Sequence, residues 1–482
     1  MEKRVCKLNF YHPVIEKIES CFEKAYLVGG FVRDKLLGIS KDTVDIDIVT
    51  VDELLKVKEC ISKVLKASSF TFEKDKTVIT FLSDKFRLDI SNLYGKTLEE
   101  DLLKRDFTIN AIAVDLKKLF SSSNDYISLI DPFGGFEDLK KRLIRPINEK
   151  SLRDDPVRII RGVRFKILLQ FDYHPSFLNY SKKILEKLKE SPTERIKEEL
   201  IKILKTDKTS EALKDFNYIG IFPLVFPELA SLESIYPSGV HEYNLKEHTL
   251  KTVEFFEKFC LKEKDKILLE FSEKVGQNEL LPILLDSHFL KLVALYHDVG
   301  KPLTVNKRNG RLTFYNHDKV GAKISKDAFL RLGFGKKAAS LGFKVIKNHL
   351  RPFFLYELFK KEKLSDKAIY NFFKSTEPYS FHTLLHSVAD WMATSKKMEC
   401  EVSSFIKFIH FLLRFYRERL ENLKPLLSGK EIMEIKRFDK PNKCVGKIKE
   451  KLLELQAIGK VKTVKDAVNF VKGYNCENSI KS

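Results

Sequence analysis

Cysteine is sparse in this chain. Seven residues of 482, an odd number with no Cys-x-x-Cys among them, exclude a zinc ribbon and argue against a disulfide framework, so the thiols are expected to be reduced and structural. No apolar run approaches the roughly 20 residues needed to span a bilayer. The opening MEKRVCKLNFYHP lacks the apolar core of a signal peptide, so a cytoplasmic protein without a membrane partner is expected. Neither an internal repeat nor a low-complexity linker is present. Acidic residues are in deficit: 67 Asp and Glu face 87 Lys and Arg, for a formal net charge of +20. That excess points to a polyanionic partner, and composition alone does not separate nucleic acid from an acidic membrane surface. With 43% hydrophobic and 32% charged residues the chain reads as soluble and folded, and it is long enough for three or more domains.

The first third alternates short apolar runs (AYLVGG, DIDIVT, TVITFL, FRLDIS, INAIAVDL) with helical stretches, so residues 1–148 are expected to form a head around a small mixed sheet. From about residue 149 apolar residues recur at three- and four-residue steps, as in RIKEELIKIL and LKTVEFFEKF, and the pattern is almost wholly helical. The expected fold is therefore α+β: the head, a helical neck at 149–235, a helical domain at 236–400 and a basic helical tail at 401–482. The tail carries 18 Lys or Arg against 10 Asp or Glu, and its last two helical patterns are parted by a glycine and a threonine cap.

The chemistry begins in YLVGGFVRDKLLGISKDTVDIDIVT, residues 26–50. Asp45 and Asp47 alternate along a strand-like run and so project from one face. Solvated strands show the same alternation. Two like charges this close nevertheless suit a hard divalent cation such as Mg²⁺, which takes carboxylate oxygens and bridges to phosphates. Gly29 and Gly30 let backbone approach a triphosphate, and Arg33 can neutralise it. Asp89, in FRLDIS, is the candidate third carboxylate. Then follow RDFTINAIAVDL from Arg105, a Pro-Phe-Gly-Gly turn, and DDPVRIIRGVRF from Asp154. On a helix Asp154, Asp155 and Arg158 share one turn and Arg161 continues the face. A carboxylate accepts from a base amino group and an arginine donates in a fixed fork, so the set can imitate a Watson–Crick edge, or else form a surface salt-bridge ladder.

Gly-Gly, Arg33-Asp34, Leu-Gly and Asp-x-Asp, in this order, resemble the signature of the nucleotidyltransferase superfamily. With the later motifs they resemble, more narrowly, the class II tRNA nucleotidyltransferase and bacterial poly(A) polymerase family. The resemblance implies catalysis by Asp45 and Asp47, joined by Asp89, around Mg²⁺. It implies sugar and phosphate contacts from the motif of Arg105, Asp106 and Asn110. It further implies that Asp154, Asp155 and Arg158 template the incoming CTP or ATP, with Arg161 and Arg164 on the same nucleotide-binding segment. Asp154 stands where many relatives carry Glu. ERIKEELIKIL, from Glu194, is expected to brace the neck. Only SNLYGKTLEEDLLK parts Ile90 from Arg105, shorter than in relatives that complete a CCA end and similar to those that add two cytidines. The tail resembles one that holds tRNA.

Histidine is scarce, 11 residues, and most of it falls in the middle of the chain. His248, His297, Asp298, His317, His349 and Asp390 offer imidazole and carboxylate, which suit Mn²⁺, Fe²⁺, Ni²⁺ or Zn²⁺. The His-Asp dyad before Val-Gly-Lys-Pro resembles HD-domain phosphohydrolases. On the matching positions His248, His297, Asp298 and Asp390 would hold a metal that activates water, His317 and His349 are possible further ligands, and Lys301 could meet a phosphate. The expected function is addition of C, A or both to the tRNA 3′ end. Poly(A) addition to RNA is one alternative, and an HD phosphohydrolase with an RNA-binding head is another.

Overall fold

The computed structural model describes residues 4–7, 10, 12–66, 69–71, 78–121, 126–235, 243–260, 288–308 and 311–476. The chain divides into two compact units, Met1–Lys202 with Asp215–Val225, and Ile203–Lys214 with Phe226–Ser482.

The first unit is built on eight strands: β1 (Arg4–Lys7), β2 (Ala25–Val28), β3 (Val44–Thr50), β4 (Ser69–Thr71), β5 (Val78–Leu82), β6 (Phe86–Asn92), β7 (Ala113–Asp115) and β8 (Tyr126–Ile130). They form one mixed sheet in the order β1-β8-β7-β2-β3-β6-β5-β4, in which β3 and β6 run parallel and the other pairs antiparallel. Period-two alternation sorts β3: Ile46 and Ile48 are buried with Leu88 and Ile90 of β6, which leaves Asp45 and Asp47 for the other face. INAIAVDL is only partly strand. Thr108–Asn110 is a single tight helical turn, because Thr108 hydrogen-bonds Asp138, Asn110 hydrogen-bonds Asp106, and the ladder resumes at β7. After the last of these strands the chain continues into helices Glu149–Asp154, Val157–Leu169 and Thr193–Leu204.

The second unit is helical as expected. Leu245–Phe255, Phe289–Tyr296, His317–Arg331, Gly335–Asn348 and Ser380–Thr394 bury Leu245, Val293, Tyr296, Phe329, Val345 and Val388 among them. Three closing helices, Gly429–Lys436, Lys443–Ala457 and Val464–Gly473, enclose a small core of Leu427, Ile432, Ile448, Leu452 and Val471. Gly459 takes a left-handed φ of 71° after the second of these, and Thr463 caps the third by accepting from the Asp466 amide.

The expectation of reduced cysteines is corrected. Cys21 is bonded to Cys60 and Cys444 to Cys476, across sequence separations of 39 and 32. Packing of the Leu54–Leu65 helix and of the closing bundle makes these pairs, which short-range spacing does not register. Cys400 is free and exposed. No helix among the described residues is long and apolar enough to cross a membrane.

Candidate active site and metal centre

Parallel pairing of β3 with β6 sets Asp47 directly opposite Asp89 and Asp45 opposite Arg87, so three carboxylates share one face of two adjacent strands. Asp89 accepts from Thr80 Oγ1 at 2.6 Å and Arg87 Nε at 2.9 Å, which fixes its orientation. Asp45 is exposed, and Asp47 and Asp89 are half-buried. Burial pushes the Asp47 carboxyl up; nearby Arg105 opposes the rise and the charges of Asp89 and Asp45 add to it. Three carboxylates on one face, whose mutual repulsion Arg87 and Arg105 offset only in part, match a hard divalent cation.

Gly29 opens the Gly29–Leu36 helix at φ 73°, and a Cβ there would lie 2.7 Å from Asp47 Oδ2. Only glycine lets the helix N-terminus come this close to the carboxylates. Arg33, on this helix, donates to Asn110 Oδ1 and Asp34 Oδ1, both at 2.8 Å, and stacks on Phe165. Asn110 in turn donates to Asp106, which accepts from Arg161. Burial alone would raise Asp106, but Arg161, Asn110, Arg158 and the Phe107 amide hold it below the usual carboxylate range. The first and second motifs and the Val157–Leu169 helix are thus tied into one hydrogen-bonded wall. It lines an open cleft of about 1140 Å³ that includes Gly29, Gly30, Asp45, Asp47, Asp89 and Arg105.

The single helical turn expected at Asp154–Arg158 does not exist. Asp154 ends one helix, Asp155 turns out with φ −146° and ψ 88°, and the next helix starts after Pro156. Proline disfavours helical backbone in the residue before it, and that rule explains the break. The consequence is a split: Asp155, Arg158, Arg161 and Arg164 line the cleft, whereas Asp154 is exposed and lies outside its lining. Arg158 donates to the carbonyls of Lys104, Arg105 and Ser151, anchoring the second motif. Thr193–Leu204, expected only to brace, contributes Arg195, Glu198, Glu199 and Lys202 to the cleft. Arg195 pairs with Asp155 at 2.6 Å, and nearly buried Glu199 pairs with Arg164 at 2.6 Å. Charges at positions 195, 198, 199 and 202 recur at helical spacing, and that was the available signal. SNLYGKTLEEDLLK is the end of β6, a turn and the short helix Leu98–Leu103, capped by Thr97 accepting from the Glu100 amide, while Asp101 accepts from the Tyr94 amide and ties the turn to the helix.

The second unit closes a different centre. His248, His297, Asp298, His317, His349 and Asp390 are each no more than 6% exposed and converge. His248, His297 and Asp298 form one group able to hold a metal, and Asp298, His317 and His349 a second. Each imidazole is oriented by its own carbonyl. His248 Nδ1 meets Ala393 O at 3.1 Å, His297 meets Ala294 O at 2.8 Å, His317 meets Phe314 O at 2.7 Å and His349 meets Ile346 O at 2.6 Å. A carbonyl only accepts, so Nδ1 carries the proton and the Nε2 lone pairs turn inward. They face one another at 3.2 Å for His248 and His297, and 3.4 Å for His317 and His349, spacings that suit a shared proton or a metal ion taking both lone pairs. Burial would lower His297, yet Asp298 and Asp390 push it up to about 10, so a proton serves where no metal does. Burial, with His317 and His297 beside it, pulls His349 down to about 3. Gly300 permits the fold here, because a Cβ would lie 2.2 Å from the His317 carbonyl. Lys301 sits 2.6 Å from Asp298 Oδ2, so it neutralises the dyad.

Comparison with known proteins follows the same division. Residues 25–145 match the Poly A polymerase head domain, residues 170–233 the Probable RNA and SrmB- binding site of polymerase A, and residues 245–393 the HD domain. A CC-adding tRNA nucleotidyltransferase of Thermus thermophilus is 30% identical over 462 residues, 93% of either chain. This chain belongs to the tRNA nucleotidyltransferase and poly(A) polymerase family. Another member, an A-adding tRNA nucleotidyltransferase of Deinococcus radiodurans, is 27% identical over 93% of this chain and 95% of its own. Among solved structures, a CCA-adding enzyme in complex with CTP superposes with a TM-score of 0.64 at 22% identity, over 98% of this chain and 97% of that one. The Thermotoga maritima CCA-adding enzyme complexed with tRNA matches with a TM-score of 0.61 at 21% identity over all of both chains. The α+β architecture is therefore that of the nucleotidyltransferase family.

Proposed function

We propose that this protein adds nucleotides to the 3′ end of tRNA from CTP and ATP, without a nucleic-acid template, at Asp45, Asp47 and Asp89. The observation that carries the reading is the trio of carboxylates on the paired strands β3 and β6, at a cleft walled by arginines. Mg²⁺ held by the trio would supply the charge that ionises the terminal 3′-hydroxyl and neutralises departing pyrophosphate. The chain's own residues do the positioning. The Gly29 and Gly30 backbone admits the triphosphate next to Asp47, and Arg33 and Arg105 offset its charge. Asp155, in the cleft lining, offers an acceptor to the base, Arg158 holds the second motif through three backbone carbonyls, and Arg161 and Arg164 are held by Asp106 and Glu199. Asp154, exposed at the helix end, lies outside the cleft lining. The basic tail at 401–482 holds the tRNA, and such a substrate places the protein in the cytoplasm.

Two cytidines are the endpoint we favour, supported by the short segment between Ile90 and Arg105 and by the CC-adding relative. The test is extension of three tRNA transcripts, lacking CCA, ending in C and ending in CC, with Mg²⁺ and CTP, ATP or both. Addition that stops after CC is the expected result. Full CCA refutes the endpoint, A on the CC end alone marks an A-adding enzyme, and long A tails on unrelated RNA mark a poly(A) polymerase. No extension of any primer refutes the proposal.

The two buried ligand groups support a second activity, metal-dependent phosphoester hydrolysis at the HD centre with Mn²⁺, Fe²⁺, Ni²⁺ or Zn²⁺. Phosphate release that survives Asp45→Ala and is lost in His297→Ala with Asp298→Ala identifies it, and release insensitive to the latter pair refutes it.

A further inference from the structure

Both oxygens of Asp89 are taken. Oδ1 accepts from Thr80 Oγ1 at 2.6 Å, and Oδ2 accepts from Arg87 Nε at 2.9 Å. Thr80 is 3% exposed, whereas the side chain of Arg87 is 47% exposed. An ion pair this exposed stabilises a fold little, so releasing the arginine costs little stability. A cation that claims Asp89 therefore displaces Arg87 more readily than Thr80. The guanidinium keeps its charge at any working pH and, once released, needs another anion.

Strand register decides which anion lies in reach. β3 and β6 set Asp47 opposite Asp89 and Asp45 opposite Arg87, so the acidic row has two ends. At the Asp47 end a Cβ on Gly29 would meet Asp47 Oδ2, and Arg105 Nη1 lies 3.1 Å from the same point. That is the end proposed for the triphosphate. At the Asp45 end stands Arg87, with Lys85 just before β6, its carbonyl accepting from the Val44 amide at 3.1 Å; both side chains are exposed and line the cleft. Nucleotidyl transfer is an in-line displacement: the primer 3′ oxygen bonds to the α-phosphorus as the bond from that phosphorus to the pyrophosphate oxygen breaks, and the hydroxyl proton passes to water. With pyrophosphate leaving at the Asp47 end, the primer strand enters from the Asp45 end. The anion it carries there is its last phosphodiester. Residues i and i+2 of a strand are about 7 Å apart, close to one step of an extended RNA backbone, which sets Lys85 at the phosphate before it.

We propose that Arg87 binds the primer: it holds Asp89 until Mg²⁺ takes that carboxylate, and then turns to the last phosphodiester of the tRNA acceptor strand, with Lys85 on the preceding one. The proposal rests on nucleotide transfer at the carboxylate trio, and the test separates the two. Full-length protein is titrated with tRNA that lacks CCA and ends in a 3′-deoxynucleotide, which binds without reacting. The last linkage is either natural or a neutral methylphosphonate, and affinity is read by fluorescence anisotropy in Mg²⁺ with CTP and again in EDTA. In Mg²⁺ the neutral linkage should weaken wild-type binding about five- to twentyfold, a comparison that needs no variant to fold. In EDTA the two primers should bind alike, because Arg87 is back on Asp89. Arg87→Gln should weaken the natural primer to the same extent and no longer sense the linkage, so that the two changes together cost no more than one. Arg87→Lys should recover part of the loss, and Lys85→Gln should couple to a neutral preceding linkage instead. Additive losses in Arg87→Gln, or a linkage effect equal in Mg²⁺ and EDTA, overturn the proposal while extension of the same tRNA with a 3′-hydroxyl continues. Wild type that does not extend that tRNA overturns the transfer reading as well.

Discussion

The head and the HD centre both gather acidic side chains, but they solve opposite problems. In the head, three carboxylates lie on an open sheet face, Asp45 exposed and the others half-buried, with few protein donors for any ion. In the HD centre six donors are buried together, and four imidazoles are pre-aimed by backbone carbonyls. A weakly enclosed hard cation can arrive with the nucleotide and leave with pyrophosphate, since Mg²⁺ keeps several waters and binds through substrate phosphates. An enclosed imidazole cage pays its desolvation in advance and suits an ion that stays.

The largest expected effect tests the independence of the two sites. Asp45→Ala or Asp47→Ala should reduce nucleotide incorporation by about a thousandfold or more, with tRNA affinity changed by less than about threefold. Any metal bound by the HD centre should be unaffected. Incorporation retained by both variants would remove the head carboxylates from the chemistry.

Acid should strike the buried imidazoles. Burial, with Lys337 nearby, pulls His382 down from 6.5 to about 4. The unfolded chain therefore takes up the proton first, so His382 contributes stability that is complete above pH 6.5 and lost as pH falls toward 4. In metal-free protein His382→Leu should remove up to about 3 kcal/mol of that loss, read from denaturant midpoints across the window. Equal acid sensitivity in wild type and variant would refute the assignment.

Gly29→Ala tests the open site. Its Cβ meets Asp47 Oδ2 and the backbone is left-handed, so incorporation is expected to fall about 10- to 100-fold in kcat while melting of the second unit is unaffected. The smallest effect is expected at the cleft wall. Glu199→Gln loosens Arg164 and should raise KM for the nucleotide about three- to tenfold with little change in kcat, measured by steady-state primer extension. An unchanged KM would make Glu199 a brace alone.

Much of this could be read from residue order. Alternation in DIDIVT decides which face the carboxylates take, and helical spacing in ERIKEELIKIL carries the cleft charges. The break at Asp155 was legible too, since Pro156 follows it. Other features were not. That Asp47 meets Asp89 depends on the parallel register of strands some 40 residues apart in sequence. The pairing of Cys21 with Cys60 and of Cys444 with Cys476 depends on helix packing.

By itself the sequence determined the local terms: which segments become strands or helices, where glycine and proline force turns, and which side chains are chemically able to bind metal, phosphate or a base. Those terms act between residues close along the chain, where periodicity and backbone sterics operate. Tertiary structure alone decided distance, burial and partner: that Arg158 is spent on carbonyls, that Asp154 faces solvent, and that Arg87 lies opposite Asp45. The physical reason is that charge, desolvation and coordination depend on separation in space, and only the packed chain sets that separation.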